Sequence, residues 1–180
     1  MTGVQTCALP ISALHQHLGI PADYERRTGL ALRREPTELV QVQPGGSERV
    51  QRLQPAAAAR WARLEVAAER DGIALRVVSA YRSVDYQASL IERKLARGES
   101  IEAILQVNAA PGYSEHHTGC AVDVGVAGQE PLTESFESTP AFAWLADHAQ
   151  RWGYALSYPR ENPYGIVYEP WHWAFHAGME

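Results

Sequence analysis

The sequence predicts an α+β domain, a small antiparallel β-sheet with helices packed on one side. Two observations carry this prediction. Segments with helical and strand periodicity follow one another as helix, strand, two helices, strand, helix, strand, strand, and every strand-like stretch is short. The chain has 180 residues, 46% hydrophobic and 21% charged, enough for one ordinary core with little room for a second.

Residues 1–12 read MTGVQTCALPIS, in which TGVQTCALPIS is the in-frame translation of a common sequencing-library adapter. They are set apart as read-through sequence, Cys7 with them, and the native start of the chain is expected to be missing. Residues 13–54 form an N-terminal arm, turn-rich from His15 to Gln54, with Pro21, Gly29, Pro36 and Pro44-Gly45-Gly46 and one strand-like stretch from Leu39 to Gln43. Residues 55–180 form the domain that carries the chemistry. Pro55 stands at a helix start. Ala57, Trp61, Leu64 and Ala68 recur on one face of that helix and Arg60, Arg63 and Arg70 fall off it, until Gly72 ends it. Ile73 to Ala80 alternates as a strand and delivers Ser79-Ala80-Tyr81-Arg82-Ser83 at its carboxyl end. A helix from Val84 to Ala96 is ended by Gly98, a short one spans Ser100 to Gln106, and Pro111-Gly112 breaks the chain again. Cys120 to Val126 is a short strand, and Pro140 to Arg151 is a helix with Phe142, Leu145, Ala146 and Ala149 apolar. Gly153 to Tyr158 and Ile166 to Phe175 are strands.

Charge and length exclude several function classes. Sixteen Lys and Arg against 21 Asp and Glu give a net charge of −5, which argues against a surface built to neutralise phosphates, so nucleic acid is not an expected partner. No apolar stretch approaches the roughly 18 to 20 residues that cross a bilayer, and a soluble, monomeric protein is expected. Two cysteines, Cys7 and Cys120, make neither a disulfide framework nor a CxxC metal knuckle, and Cys120 is expected to be a small buried residue.

Of seven histidines, His15, His17, His148 and His176 lack an acidic or histidine partner at useful spacing and read as surface residues. The other three cluster with carboxylates in Ser114-Glu115-His116-His117-Thr118-Gly119-Cys120-Ala121-Val122-Asp123 and in Glu169-Pro170-Trp171-His172-Trp173. A catalytic zinc site needs three ligands drawn from His and carboxylate, an open position for water, and a separate carboxylate to take a proton. The two clusters supply all of these. His116 and Asp123 come from a loop and the strand after it, with Gly119 permitting the tight entry, and His172 arrives from a distant strand. In an unbroken strand Glu169, three residues earlier, would face away from His172. Pro170 between them predicts a bend that turns Glu169 over the site as general base. Each signal alone is weak, since a lone strand histidine is usually a packed or surface residue, Asp123 could cap a turn, and Trp171 and Trp173 could simply pack. His117 is expected to be a neighbour of the ligand shell or exposed.

The combination S-x-H-x-x-G-x-A-x-D, followed about 45 residues later by E-P-W-H, resembles the zinc D-alanyl-D-alanine carboxypeptidase family. Vancomycin-resistance D,D-carboxypeptidases and D,D-dipeptidases belong to it, L,D-carboxypeptidases lie nearby, and lysostaphin and hedgehog domains are distant relatives. The likeness runs from about Leu53 to Trp173 and includes Ser79-Ala80-Tyr81-Arg82-Ser83 with Gln87, Gly112-Tyr113-Ser114-Glu115-His116, and Gly165-Ile166-Val167-Tyr168-Glu169-Pro170-Trp171-His172. The resemblance implies a hedgehog/D,D-peptidase-like fold and a Zn2+ ion bound by His116, Asp123 and His172. It makes Glu169 the catalytic acid and base, puts Arg82 on the scissile carbonyl or substrate carboxylate, and has Ser114 and Gln87 hold the substrate terminus. Ala174 departs from the pattern, standing where the family commonly has Arg, which puts an ion pair in doubt and leaves the ligand set intact.

The implied reaction removes a C-terminal D-alanine from peptidoglycan stem peptides or other D-Ala-D-Ala-terminated peptides, and such a substrate places the protein in the cell envelope or periplasm. Alternatives within the enzyme class are an L,D-carboxypeptidase and a D,D-dipeptidase, decided by pocket loops between Gly125 and Ser138. A non-catalytic wall-binding module is the alternative outside it, although such a module has no use for an unligated Glu169. A Ser114 nucleophile paired with His116 fails because a histidine spent on zinc has little capacity left as a base.

Overall fold

In the computed structural model, residues 10–42 and 50–178 are described. The described residues begin with two short helices, α1 (Ile11–Leu18) and α2 (Tyr24–Thr28), each ending on a left-handed glycine, Gly19 and Gly29. Strands β1 (Val40–Gln41) and β2 (Arg52–Leu53) pair as a two-residue antiparallel ribbon. Helix α3 (Pro55–Arg70) starts with proline at its first position, where no amide hydrogen is needed, and turns Ala57, Trp61, Leu64 and Ala68 fully inward. After β3 (Arg76–Ser79) come α4 (Val84–Ala96) and α5 (Ile101–Val107). Their N-caps are Ser83, whose hydroxyl accepts from the Tyr86 amide, and Ser100, whose hydroxyl accepts from the Ala103 amide. A 3₁₀ turn, Glu115–Thr118, leads through Gly119 into β4 (Ala121–Gly125). Helix α6 (Pro140–His148), capped by Thr139, tightens into a 3₁₀ turn at Ala149–Trp152 before β5 (Tyr154–Leu156) and β6 (His172–Phe175).

The last four strands form an antiparallel sheet in the order β3-β4-β6-β5. Alternation along it decides what each residue does. Val122, Val124 and Trp173 join Trp61, Leu64, Leu145 and Tyr154 in the larger core, and the Tyr154 hydroxyl donates to the Ala57 carbonyl at 2.9 Å. Asp123 and His172, one step out of phase with these, point to the opposite face, where they are direct cross-strand partners. A bulge between Val77 and Ser79 sets Ser79 opposite Asp123 and aims the following backbone at the site. A second apolar cluster gathers Leu14, Leu18, Ile20, Tyr24 and Leu30 from the arm with Ile91, Ile104, Tyr113, Tyr158 and Ile166.

Four sequence expectations need correction. The arm is not only a turn-rich wrapper, because α1 and α2 bury Leu14, Leu18 and Tyr24 in the second cluster, with Ile20 and Leu30 beside them. The first helix begins at Ile11, so it takes in the last two residues of the segment set apart as read-through. The strand expected over Ile166–Phe175 exists only from His172. Before it, Pro170 lacks an amide hydrogen and the Val167 amide donates to Gln106 at the end of α5 at 2.8 Å, so pairing with β4 is picked up only at Trp171, whose carbonyl accepts from the Val124 amide at 2.9 Å. The Pro140–Arg151 helix loses its α-helical hydrogen bonding at His148. Of the Leu39–Gln43 stretch, Val40–Gln41 is strand and Gln43 lies outside the described residues.

Candidate metal centre

The 3₁₀ turn and two neighbouring strands bring His116, Asp123 and His172 together, all buried, with one ligand atom from each within 4.8 Å of the others. His116 Nδ1 lies 2.6 Å from the Ala80 carbonyl, which fixes its proton there and leaves Nε2 as a bare lone pair. Nε2 has no hydrogen-bond partner and lies 3.2 Å from Asp123 Oδ2. Burial lowers the His116 pKa to about 4, so the ring is neutral at pH 7 and cannot bridge that contact with a proton of its own. Two acceptors facing each other in a buried site are stable with a cation between them. The arrangement therefore fits a metal, and two imidazoles with a carboxylate are a donor set that zinc accepts.

His172 is oriented from its other side. Its Nε2 donates to Glu115 Oε2 at 3.0 Å, and its Nδ1 lies 3.1 Å from Asp123 Oδ1. Burial opposes a charge on this ring, but the hydrogen bonds and charges of Asp123 and Glu115 prevail and raise its pKa to about 10. The same convergence of negative charge would hold a divalent cation. Glu115 feels burial against its charge, yet His172 and Arg33, whose guanidinium is 3.6 Å away, hold it down at about 2. Asp123 is likewise held well below the carboxylate range by His116, His172 and Arg82 in spite of its burial.

Glu169 sits beside the ligands without joining their cluster, its Oε2 3.8 Å from His172 Nδ1. The predicted bend is present, since the His172 amide donates to the Glu169 carbonyl at 3.1 Å in a tight turn. Burial dominates its environment and raises its pKa to about 7. Arg82, Gln87, Ser114 and Glu169 line one small chamber with His116 and His172. An Arg82 terminal nitrogen is 3.6 Å from Asp123 Oδ2 and its Nε is buried without a partner. The Gln87 amide nitrogen donates to the Ala109 carbonyl at 2.8 Å, leaving its buried oxygen free. The Ser114 hydroxyl oxygen accepts from the His116 amide at 3.3 Å, so its proton is available elsewhere.

The sequence reading missed Glu115 and Tyr158. Glu115 passed as a spacer before a ligand, because its partner lies 57 residues away. Tyr158 tilts against the His172 ring with centroids 4.8 Å apart. His117 is buried and supports the site indirectly, since its Nδ1 lies 2.7 Å from the Arg82 carbonyl and its Nε2 accepts from the Gly112 amide. Cys120 is half-buried and free. Ala174 is buried between the cross-strand residues Ala121 and Ala155, a row of small side chains.

Residues 50–178 match the profile of the VanY D-alanyl-D-alanine carboxypeptidases. A Bacillus subtilis protein named as a carboxypeptidase, YodJ, is 31% identical over 94% of this chain and 62% of its own. The bifunctional D-Ala-D-Ala dipeptidase and carboxypeptidase VanXYC of Enterococcus gallinarum is 35% identical over 68% of this chain and 66% of its own. This chain thus spans just under two thirds of both relatives. Among solved structures, the LdcB LD-carboxypeptidase is 32% identical with a TM-score of 0.71, covering 78% of this chain and 69% of its own. A Zn(II) complex of the vancomycin-resistance D,D-pentapeptidase VanY is 26% identical with a TM-score of 0.63, covering 81% of this chain and 85% of its own.

Proposed function

The chain belongs to the D-alanyl-D-alanine carboxypeptidase family, and from that premise we propose that it is a zinc peptidase that removes the C-terminal D-alanine from peptidoglycan stem peptides or their precursors. The observation that carries the reading is the buried His116 lone pair set against Asp123, with a carboxyl that titrates near neutrality beside it. His116 Nε2, His172 Nδ1 and an Asp123 oxygen would hold the ion. Zinc, when bound, supplies Lewis acidity that makes water a nucleophile near neutral pH and polarises a carbonyl.

This chain's own groups do the rest. Burial raises the Glu169 pKa to about 7 in the metal-free site, and as an unligated carboxylate beside the ion Glu169 can take a proton during attack and return it to the departing amine. Arg82 would stabilise negative charge at the carbonyl or hold the terminal carboxylate, each charge-assisted hydrogen bond contributing about 1.5 to 3 kcal/mol. Ser114 can donate its hydroxyl proton to that carboxylate, and the free Gln87 oxygen can accept an N–H from the peptide. Residues 55–180 would carry this chemistry, with residues 13–54 as its supporting arm. No helix among the described residues is long and apolar enough to cross a membrane. A peptidoglycan substrate would put the protein's action in the bacterial cell envelope or periplasm.

A second reading, L,D-carboxypeptidase, is supported by the LdcB likeness. Incubating zinc-loaded protein with stem pentapeptide, tetrapeptide and free D-Ala-D-Ala, and weighing the products, tests both. Loss of one D-Ala from the pentapeptide alone supports the first reading, loss from the tetrapeptide the second, and no product from any would reject a peptidase of this class.

A further inference from the structure

Beyond Glu169 lies a larger cavity of about 220 Å3 that shares Arg82, Val107 and Glu169 with the small chamber and reaches Asp123, while Lys94, Asn108, Leu132, Val167 and Trp171 on its wall take no part in the proposed chemistry. Val107, Leu132 and Val167 on its wall are 40%, 45% and 38% exposed, half of the six exposed large hydrophobics among the described residues. Singly scattered apolar side chains are ordinary on a surface, but half of them around one opening mark a binding surface. Leu132 also holds a φ of 58°, a left-handed backbone that strains a residue with a Cβ, and such strain persists where the surroundings fix it, often at ligand sites.

The same cavity holds one lysine. Lys94, near the end of α4, donates to Asn108 Oδ1 at 2.5 Å, which leaves two of its three donors unused. It takes part in none of the ion pairs among the described residues. Burial lowers its pKa, and the charges of Arg82 and Glu169 both act on it, which places its ammonium within electrostatic reach of the reacting groups.

On the carboxypeptidase reading, the chain end sits beside Ser114 and Gln87 in the inner chamber, and the rest of the peptide leaves past Glu169 through the larger cavity. We propose that this cavity is the acyl-side subsite and that Lys94 makes it select peptides whose residue before the D-Ala-D-Ala end carries a side-chain carboxylate. The methylenes of such a side chain would lie on Val107, Leu132 and Val167, with the carboxylate on the Lys94 ammonium. A side chain ending in an amine would meet like charge there.

The test uses zinc-loaded full-length protein and three peptides, N-acetyl-Xaa-D-Ala-D-Ala with Xaa as Glu, Gln or Lys. The readout is the ratio of kcat/KM between peptides within each variant, so a general loss of activity cancels. The wild type is expected to favour the Glu over the Lys peptide by about 10-fold, the size of one charge-assisted hydrogen bond. Lys94→Arg keeps that order, Lys94→Gln flattens it, and Lys94→Glu reverses it. Equal wild-type rates for the three peptides, or a preference that survives in Lys94→Gln, would overturn the proposal. Cleavage of none of the three by zinc-loaded wild type would instead reject the carboxypeptidase reading on which the proposal rests.

Discussion

Glu169 and His172 lie three residues apart, yet opposite demands fall on them, and substitution separates the two. Glu169→Ala leaves His116, Asp123 and His172 in place, so zinc content should stay near one per chain while kcat falls by about 10²-fold or more, the usual contribution of a general acid or base. His172→Ala should lose the metal itself, and metal analysis beside kinetics distinguishes the two. Near-normal turnover by zinc-bound Glu169→Ala would remove the proton-transfer role. Protonation is checked separately. In metal-free protein His172 should remain doubly protonated through pH 7 and titrate near 10, because Asp123 and Glu115 both hydrogen-bond it. The sign follows from a folded pKa above the ordinary 6.5. The stability this ring contributes to the metal-free protein is complete below about 6.5 and is lost as pH rises through about 10. Imidazole ¹⁵N spectra should show zinc removing the Nδ1 proton and leaving the one on Glu115, and Glu115→Gln should lower the metal-free pKa. A neutral His172 at pH 7 without metal would contradict this account.

The element that assembles the site is the passage from the 3₁₀ turn Glu115–Thr118 into β4, and it depends on Gly119. Gly119 has a φ of 67°, its carbonyl accepts from the Gln54 amide at 2.8 Å, and a Cβ there would come within 2.9 Å of a Leu39 methyl and 3.0 Å of the Gln54 nitrogen. Gly119→Ala should therefore cost more than the about 1–2 kcal/mol of a left-handed alanine, lowering Tm by several degrees. Zinc affinity should fall as well, because the strained residue lies between His116 and Asp123, two of the three proposed ligands. This glycine was readable from its position between the two ligands, as were α3, α4, α5 and β4 from their periodicity, caps and breakers. The convergence of His116, Asp123 and His172 was readable too, because these residues sit in two short clusters. What stayed hidden depends on partners distant in sequence. Glu115 acquires its role only when β6 sets His172 against it, and the Ile166–Trp171 stretch looks like strand until the Val167 amide finds Gln106 instead of a ladder. Five-residue α2 is too short for a period to show.

At the scale of the whole molecule, the division into arm and catalytic domain that the composition suggested crosses a shared core. Leu14, Leu18, Ile20, Tyr24 and Leu30 cover Ala88, Ile91, Ala110 and Tyr113, and the Tyr24 hydroxyl accepts from the buried Ala110 amide at 3.1 Å. Graded truncation measures how much of the fold this cover supports. Removing residues 1–12 takes away only Ile11, half-buried beside Gly112, and the first turn of α1 from the described packing. A loss near 1 kcal/mol, or a Tm lower by about 2–4 °C, is expected with zinc binding intact. Removing residues 1–32 strips the cover from α4 and takes the Tyr24 hydroxyl from the Ala110 amide, at a cost of about 1–3 kcal/mol where that amide stays buried. Each uncovered large apolar side chain adds about 1.5–3 kcal/mol, against a total stability of about 5–15 kcal/mol for an ordinary domain. The longer truncation should therefore bind a hydrophobic dye, melt with reduced cooperativity, and hold zinc weakly, because Tyr158 and Ile166 of the same cluster also line the metal site. A sharp melt within a few degrees of full length, with zinc retained, would mean that the sheet and α3 suffice to hold the site and that the arm is peripheral to it.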